Sequence, residues 1–161
     1  MKKMLKSKKG FSLIELLIVV AILAILAAIS INLFGSVLNK QKVKSDQSAC
    51  SYLQNAIQNY IIETDDPTLT LAIAKADAGL AADTNNSLDF LQVTSGLTKP
   101  VSADPDGDGT NETFGPYLNQ ANLHLSAKGA RFDVQVDAVN KVVTVKVNTA
   151  TGAVNDITIN S

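Results

Sequence analysis

Residues 8–29 read KKGFSLIELLIVVAILAILAAI, and this stretch decides how the rest of the chain is read. Across residues 11–34 the only polar side chains are Ser12, Glu15, Ser30 and Asn32. As a helix rising about 1.5 Å per residue the run extends roughly 36 Å, enough to cross a hydrocarbon core of about 30 Å. Lys2, Lys3, Lys6, Lys8 and Lys9 precede it with no acid among them. That bias holds this end on the cytoplasmic side and places the C-terminal body outside. Glu15 is the anomaly, because a carboxylate inside a membrane-length apolar segment is costly and marks a function or a partner.

A secretory signal cut near Ala27-Ala28 fits the basic start, but the apolar stretch is long for one and Glu15 interrupts it. A plain signal anchor leaves both Gly10 and Glu15 unexplained. The 161 residues suffice for one modest domain. Of the 14 basic residues five lie in the first ten positions, whereas none of the 15 acidic ones does. The body is therefore mildly acidic and carries no basic stripe for nucleic acid, so no specific nucleic acid is expected as a partner. Cys50, the single cysteine, excludes an intrachain disulfide and a cysteine-based metal site, and it reads as a small core residue. His124 is the single histidine and reads as structural. No nucleophile elbow, Walker loop or dinucleotide fingerprint occurs, so an enzyme is not expected.

The run Gly10-Phe11-Ser12-Leu13-Ile14-Glu15, continued by Leu16-Leu17-Ile18-Val19-Val20-Ala21, closely resembles the processing site of type IV prepilins and the related type II secretion pseudopilins. The resemblance covers residues 8–34. It implies that a membrane-embedded prepilin peptidase cuts between Gly10 and Phe11 and methylates the new amino terminus at Phe11. It also implies a physical role for Glu15: pairing with the amine that cleavage creates, so that two costly charges offset each other in an apolar surround. In a filament of packed helices the amine of an incoming subunit meets Glu15 of its neighbour and sets register, much as one buried polar residue does in a coiled coil. Many pilins carry a helix-breaking proline where Asn32 stands and a glycine where Ala24 stands; Gly35-Ser36 is the nearest remaining weak point. A disulfide that closes the C-terminal loop in many pilins has no counterpart here.

Beyond residue 34 the pattern turns amphipathic, with Val43, Cys50, Leu53, Ile57, Tyr60 and Ile61 at helical spacings. One helix over residues 11–64 is expected, stopped by Asp65-Asp66-Pro67. A short Ala-rich helix is expected around residues 71–78, and another after Ser87 as N-cap with Gly96 as its stop. Phe132, Val134 and Val136 alternate with polar residues, as do Val143, Val145 and Val147, and a third run covers residues 154–160. Three successive strands predict an antiparallel meander covering the helix, an α+β arrangement shared with type IV pilins. A further strand is expected near residues 122–126.

The densest polar cluster is Asp104-Pro105-Asp106-Gly107-Asp108-Gly109-Thr110-Asn111-Glu112. Acids at loop positions one, three and five, glycine at six and Glu112 at nine offer oxygens to a calcium ion, although Gly115 stands where an EF-hand has its closing glutamate. The alternative is a solvated acidic turn. Major pseudopilins bind calcium in a C-terminal loop, and Gly115-Pro116-Tyr117-Leu118 resembles a segment found in them. No other cofactor is expected, and none is required.

The expected organisation is a leader at residues 1–10, a transmembrane and filament-core helix at 11–35, its amphipathic continuation at 36–64, and a globular head at 65–161 with its sheet at about 129–160. The expected function is that of a homo-oligomeric filament subunit. It starts as a single-pass precursor in the cytoplasmic membrane, handled by prepilin peptidase and the pilus assembly machinery, and ends in an extracellular pilus. A secretion pseudopilin and a signal-anchored binding module that never polymerises are the alternatives.

Overall fold

A computed structural model describes residues 11–81, 84–120, 123–126 and 129–161, the Asn32 side chain excepted. The chain divides into two compact units at Gln41/Lys42. Helix α1 (Leu13–Thr64) contributes to both. From Leu13 onward the N-terminal unit is helix alone, and its large apolar side chains are exposed throughout, from Phe11 and Leu13 at 81% to Val19 at 47%. The helix is unbroken through Gly35-Ser36. Ser30 and Ser36 turn their hydroxyls back onto main-chain oxygens of Leu26 (2.7 Å) and Leu33 (2.9 Å), which satisfies them inside an apolar surface.

In the C-terminal unit the second half of α1 is amphipathic. Leu53, Ile57, Tyr60 and Ile61 are fully buried, and Cys50 and Ala56 nearly so. Val43, expected on the same face, stays exposed. Burial on α1 therefore begins near Asp46. α1 ends where expected: Asp65 takes the left-handed conformation (φ 54°) and its N–H donates to Ile61 O at 3.1 Å.

Two short helices follow, α2 (Thr70–Ala74) and α3 (Leu88–Gly96). Ser87 caps α3 as expected, its Oγ accepting from Phe90 N at 3.1 Å. α3 stops at Gly96, as expected, and the glycine has a second role. A Cβ there would stand 1.8 Å from the Ala72 main-chain oxygen. The glycine lets α3 approach the backbone of α2.

A hairpin of β1 (Val101–Ala103) and β2 (Glu112–Phe114) comes next, in the register Val101↔Phe114, Ser102↔Thr113, Ala103↔Glu112. The main sheet has the order β4-β3-β5, with β3 (Arg131–Asp137), β4 (Val142–Asn148) and β5 (Asp156–Asn160). β3 and β4 pair antiparallel, as expected, but β5 pairs parallel to β3 instead of closing a meander. The residues 149–155 that connect β4 to β5 carry the chain across the end of β3. Residues 123–126 form no strand; residue 122, where the expected strand was to begin, lies outside the described residues. The fold class is α+β, a long apolar N-terminal helix followed by small sheets that are antiparallel in all pairings but one.

Phe132, Val134 and Val136 of β3, with Val143 and Val145 of β4, form one layer with the α1 residues; Phe90 and Val93 of α3, with Leu97 just past its end, close the core. Phe90 stacks on Phe132 with ring centroids 5.6 Å apart. Each such buried side chain contributes about 1.5–3 kcal/mol. Gly96→Ala is expected to lower stability by about 1–3 kcal/mol, because the obstructing atom is backbone and cannot rotate away. Thermal unfolding of the full chain in detergent checks this, and an unchanged midpoint would contradict the close approach.

Candidate assembly segment and acidic loop

Gly10 lies outside the described residues. Phe11 precedes the helix and is 81% exposed, and Glu15 lies in the first turn of α1, also exposed. Main-chain bonds start the helix at Ser12, whose oxygen accepts from Glu15 N (3.0 Å) and Leu16 N (3.2 Å). Ser12 and Glu15 stand in the Ser-x-x-Glu spacing of a capping box, a signal that the reading of Glu15 as a charge partner passed over. A carboxylate in the first turn also lies at the positive end of the helix dipole. Phe11 and Glu15 are one helical turn apart in sequence. Behind Glu15, α1 is long and apolar enough to cross a membrane.

The acidic cluster is the loop of the β1–β2 hairpin, residues 104–111. Asp104, Asp106 and Asp108 converge, each offering a carboxylate oxygen within 4.8 Å of the others. The loop's own amides draw them in. Asp104 accepts from Gly107 N (2.9 Å) and Asp108 N (3.1 Å) on Oδ1, and from Gly109 N (3.0 Å) on Oδ2. Asp108 Oδ1 accepts from Thr110 N at 2.6 Å. Gly107 and Gly109 hold φ of 73° and 86°, which lets the backbone curl under the acids. Glu112 does not join them: it sits on β2 opposite Ala103, exposed and outside the converging group.

The Gly115-Pro116-Tyr117-Leu118 segment serves packing. Tyr117 N and Leu118 N both donate to Leu97 O (2.9 and 3.0 Å), and Tyr117 Oη donates to Glu63 Oε2 at 2.7 Å. Its ring meets Tyr60 edge-on at 5.6 Å. Burial and the Glu63 carboxylate push the Tyr117 phenol above its ordinary pKa. Burial, followed by the charge of Asp46, pushes the Cys50 thiol up as well, in keeping with an inert core residue. His124 is exposed and not packed in the core.

Asp66, read from sequence as part of a helix stop, organises the turn between α1 and α2. Its carboxylate accepts from Tyr60 Oη (2.5 Å), Thr68 Oγ1 (2.7 Å), Leu71 N (2.8 Å) and Thr70 Oγ1 (3.2 Å). Burial works against the charged form, but these donors, Tyr60 foremost, outweigh it and hold the carboxyl below its usual range.

The N-terminal residues 5–31 match the family model described as the prokaryotic N-terminal methylation motif. Fimbrial proteins of Pseudomonas aeruginosa are 44% identical to this chain over 59 residues, 37% of this chain and 38% of theirs. The chain thus spans under two fifths of the length of the curated relatives it matches. No solved structure matches it. The methylation motif, the fimbrial relatives and the α+β fold behind an apolar helix support a pilin-type subunit of the type IV class.

A carboxyl with a depressed folded pKa adds stability that is fully present above its unfolded value, near 3.8, and is lost as pH falls through the lower folded value. Acid titration of the melting temperature is therefore expected to show a loss below about pH 4. Asp66→Asn should flatten part of that loss and lower stability at neutral pH by about 1–3 kcal/mol, since a hydrogen-bonded charge is replaced by a poorer acceptor. An Asp66→Asn profile identical to wild type would contradict the network.

Proposed function

We propose that the chain is the structural subunit of a type IV pilus. Prepilin peptidase cuts it between Gly10 and Phe11, so that residues 1–10 leave as the leader and Phe11 becomes the methylated amino terminus. Before assembly the apolar half of α1 lies in the cytoplasmic membrane as a single span, with the lysine-rich end cytoplasmic. During assembly the same surface leaves lipid, passes through the pilus machinery and packs against the helices of other copies in an extracellular filament. The observation that carries this reading is the apolar surface of α1, which begins within the segment that matches the methylation motif, is exposed on every side and is interrupted near its start by one carboxylate. In a helix bundle Glu15 pairs with the Phe11 amine of a neighbour, which removes the penalty of an isolated charge in apolar surroundings and fixes the axial register.

The hairpin loop also fits a calcium ion. Three hard carboxylate oxygens already converge, and calcium accepts six to eight oxygen ligands, so main-chain carbonyls and water would complete the shell around Asp104, Asp106 and Asp108. Glu112 stands outside that group and would contribute only through water.

Glu15→Ala tests the assembly reading. Breaking a buried pair costs about 3–5 kcal/mol, roughly two to four orders of magnitude in association. Electron microscopy and sheared-fraction immunoblots are expected to show filaments lost while membrane precursor stays at its normal level. Filaments at wild-type abundance would contradict the proposal. For the loop, about 1 mM calcium is expected to raise the melting temperature by several degrees, and Asp104→Asn to abolish the rise. An absent shift in the wild type would contradict the calcium site.

A further inference from the structure

Both edges of the main sheet are sealed at one end and open at the other. On β4, Gln58 of α1 takes up the outer main chain at the first residues: its Nε2 donates to Lys141 O (2.6 Å) and its Oε1 accepts from Val143 N (3.0 Å). Main-chain groups alternate sides along a strand, so Val145 and Val147 also turn theirs away from β3. On β5 the sealed end is Asn155, whose N–H donates to Asn85 O (3.0 Å) and whose oxygen accepts from Ser87 N (2.9 Å). Asn160 O faces inward, accepting from Ala138 N at 2.8 Å, so Ile157 and Ile159 face outward. Of the outward groups on Val145, Val147, Ile157 and Ile159, the Ile157 N–H alone has a partner among the described residues, the Asp156 carboxylate at 2.9 Å.

We propose that β4 of one copy pairs antiparallel with β5 of a second copy, so that the sheet continues from subunit to subunit. β4 runs antiparallel to β3 and β5 parallel to it, so the two free edges are already antiparallel to each other and a side-by-side repeat needs no inversion. Joining the unsealed residues sets Ile159 opposite Val145 and Ile157 opposite Val147. Val147 and Ile159, 36% and 39% exposed, then share cover on the apolar face. An open groove of about 530 Å³ beside β4, lined by Gln47, Ser51, Gln54, Val145 and Val147, leaves room for the incoming strand.

Charge on the outer face favours the same partner. Within one sheet Asp133 lies between Lys146 on β4 and Asp156 on β5, so the cross-strand neighbour of Asp156 is another acid. The junction brings Lys146 of the second copy opposite Thr158 and diagonal to Asp156, supplying the missing opposite charge. Because two different edges meet, the contact is heterologous and propagates instead of closing as a dimer. The contact rests on the filament reading for its setting, but its geometry belongs to the C-terminal unit alone.

The test is disulfide trapping with Lys146→Cys and Thr158→Cys in the full chain, both in sheared filaments and in detergent-extracted membranes. These residues would face each other as a non-hydrogen-bonded pair, about 4.5 Å between Cα atoms, a spacing that accepts a disulfide. Mild oxidation of the double variant is expected to give a reducible ladder of dimers, trimers and higher species, and each single variant at least about tenfold less. Adding Val147→Pro removes an outward N–H without breaking a β3–β4 bond, and should suppress the ladder at an unchanged melting temperature. A double variant without a ladder in either sample overturns the edge pairing, even where filaments are normal. Equal cross-linking by Lys146→Cys alone also overturns it, because that marks a two-fold contact. A ladder from membranes of cells that make no filaments upholds the edge pairing while overturning the filament reading.

Discussion

The structure depends on one constraint: the apolar surface of the first half of α1 has to be covered by something outside the chain. Nothing among the described residues packs against it, and its large side chains from Leu13 to Leu38 are all about half exposed or more. At about 25 cal/mol per Å² of apolar surface, leaving such a helix in water is prohibitive. Lipid tails and the apolar faces of like helices are the two environments that relieve it. A single carboxylate near the start of the segment does not relieve the apolar surface, but it discriminates between covers. In lipid it is a cost; in a bundle that presents an amine it becomes a register mark.

The second half of α1 solves the opposite problem. There the helix buries one face, and Leu53, Ile57, Tyr60 and Ile61 give the small head most of one wall of its core. The head has no disulfide within it, since Cys50 is its single cysteine. Its loops are instead held by polar fasteners onto the helix. Asp66 ties down the turn into α2, Gln58 clasps the start of β4, Asp46 Oδ1 accepts from Ser126 N at 2.5 Å, and Asp65 pairs with Lys141. All four fasteners lie on α1 or the turn that directly follows it, so the second half of this helix also organises the head.

Much of this was legible in the sequence where one physical signal dominates. Four polar residues in the run 11–34, the stop at 65–67 and the Ser87 cap each have a strong local cause, and each element was placed to within a few residues. The strands of the main sheet were legible for the same reason, because alternation fixes which side chains face the core. Alternation does not fix the partner or direction of a strand, and β5 accordingly runs parallel to β3 against expectation. The hairpin of β1 and β2 has three residues per strand, too few for a period to show. Gly96 was legible as the end of α3, but its close approach to Ala72 was not, because Ala72 is distant in sequence. In the acidic loop the spacing of Asp104, Asp106 and Asp108 carried through to space, whereas Glu112 was drawn away by its strand pairing with Ala103.

The central claim is that the working protein begins at Phe11, since the amine that Glu15 needs exists only after the leader is gone. Intact-mass analysis of the protein recovered from the cell surface, with sequencing of its first residues, tests this most directly. The account predicts Phe11 as the first residue, carrying one methyl group on its amine. Retention of Met1, or a first residue near Ala28, would contradict it.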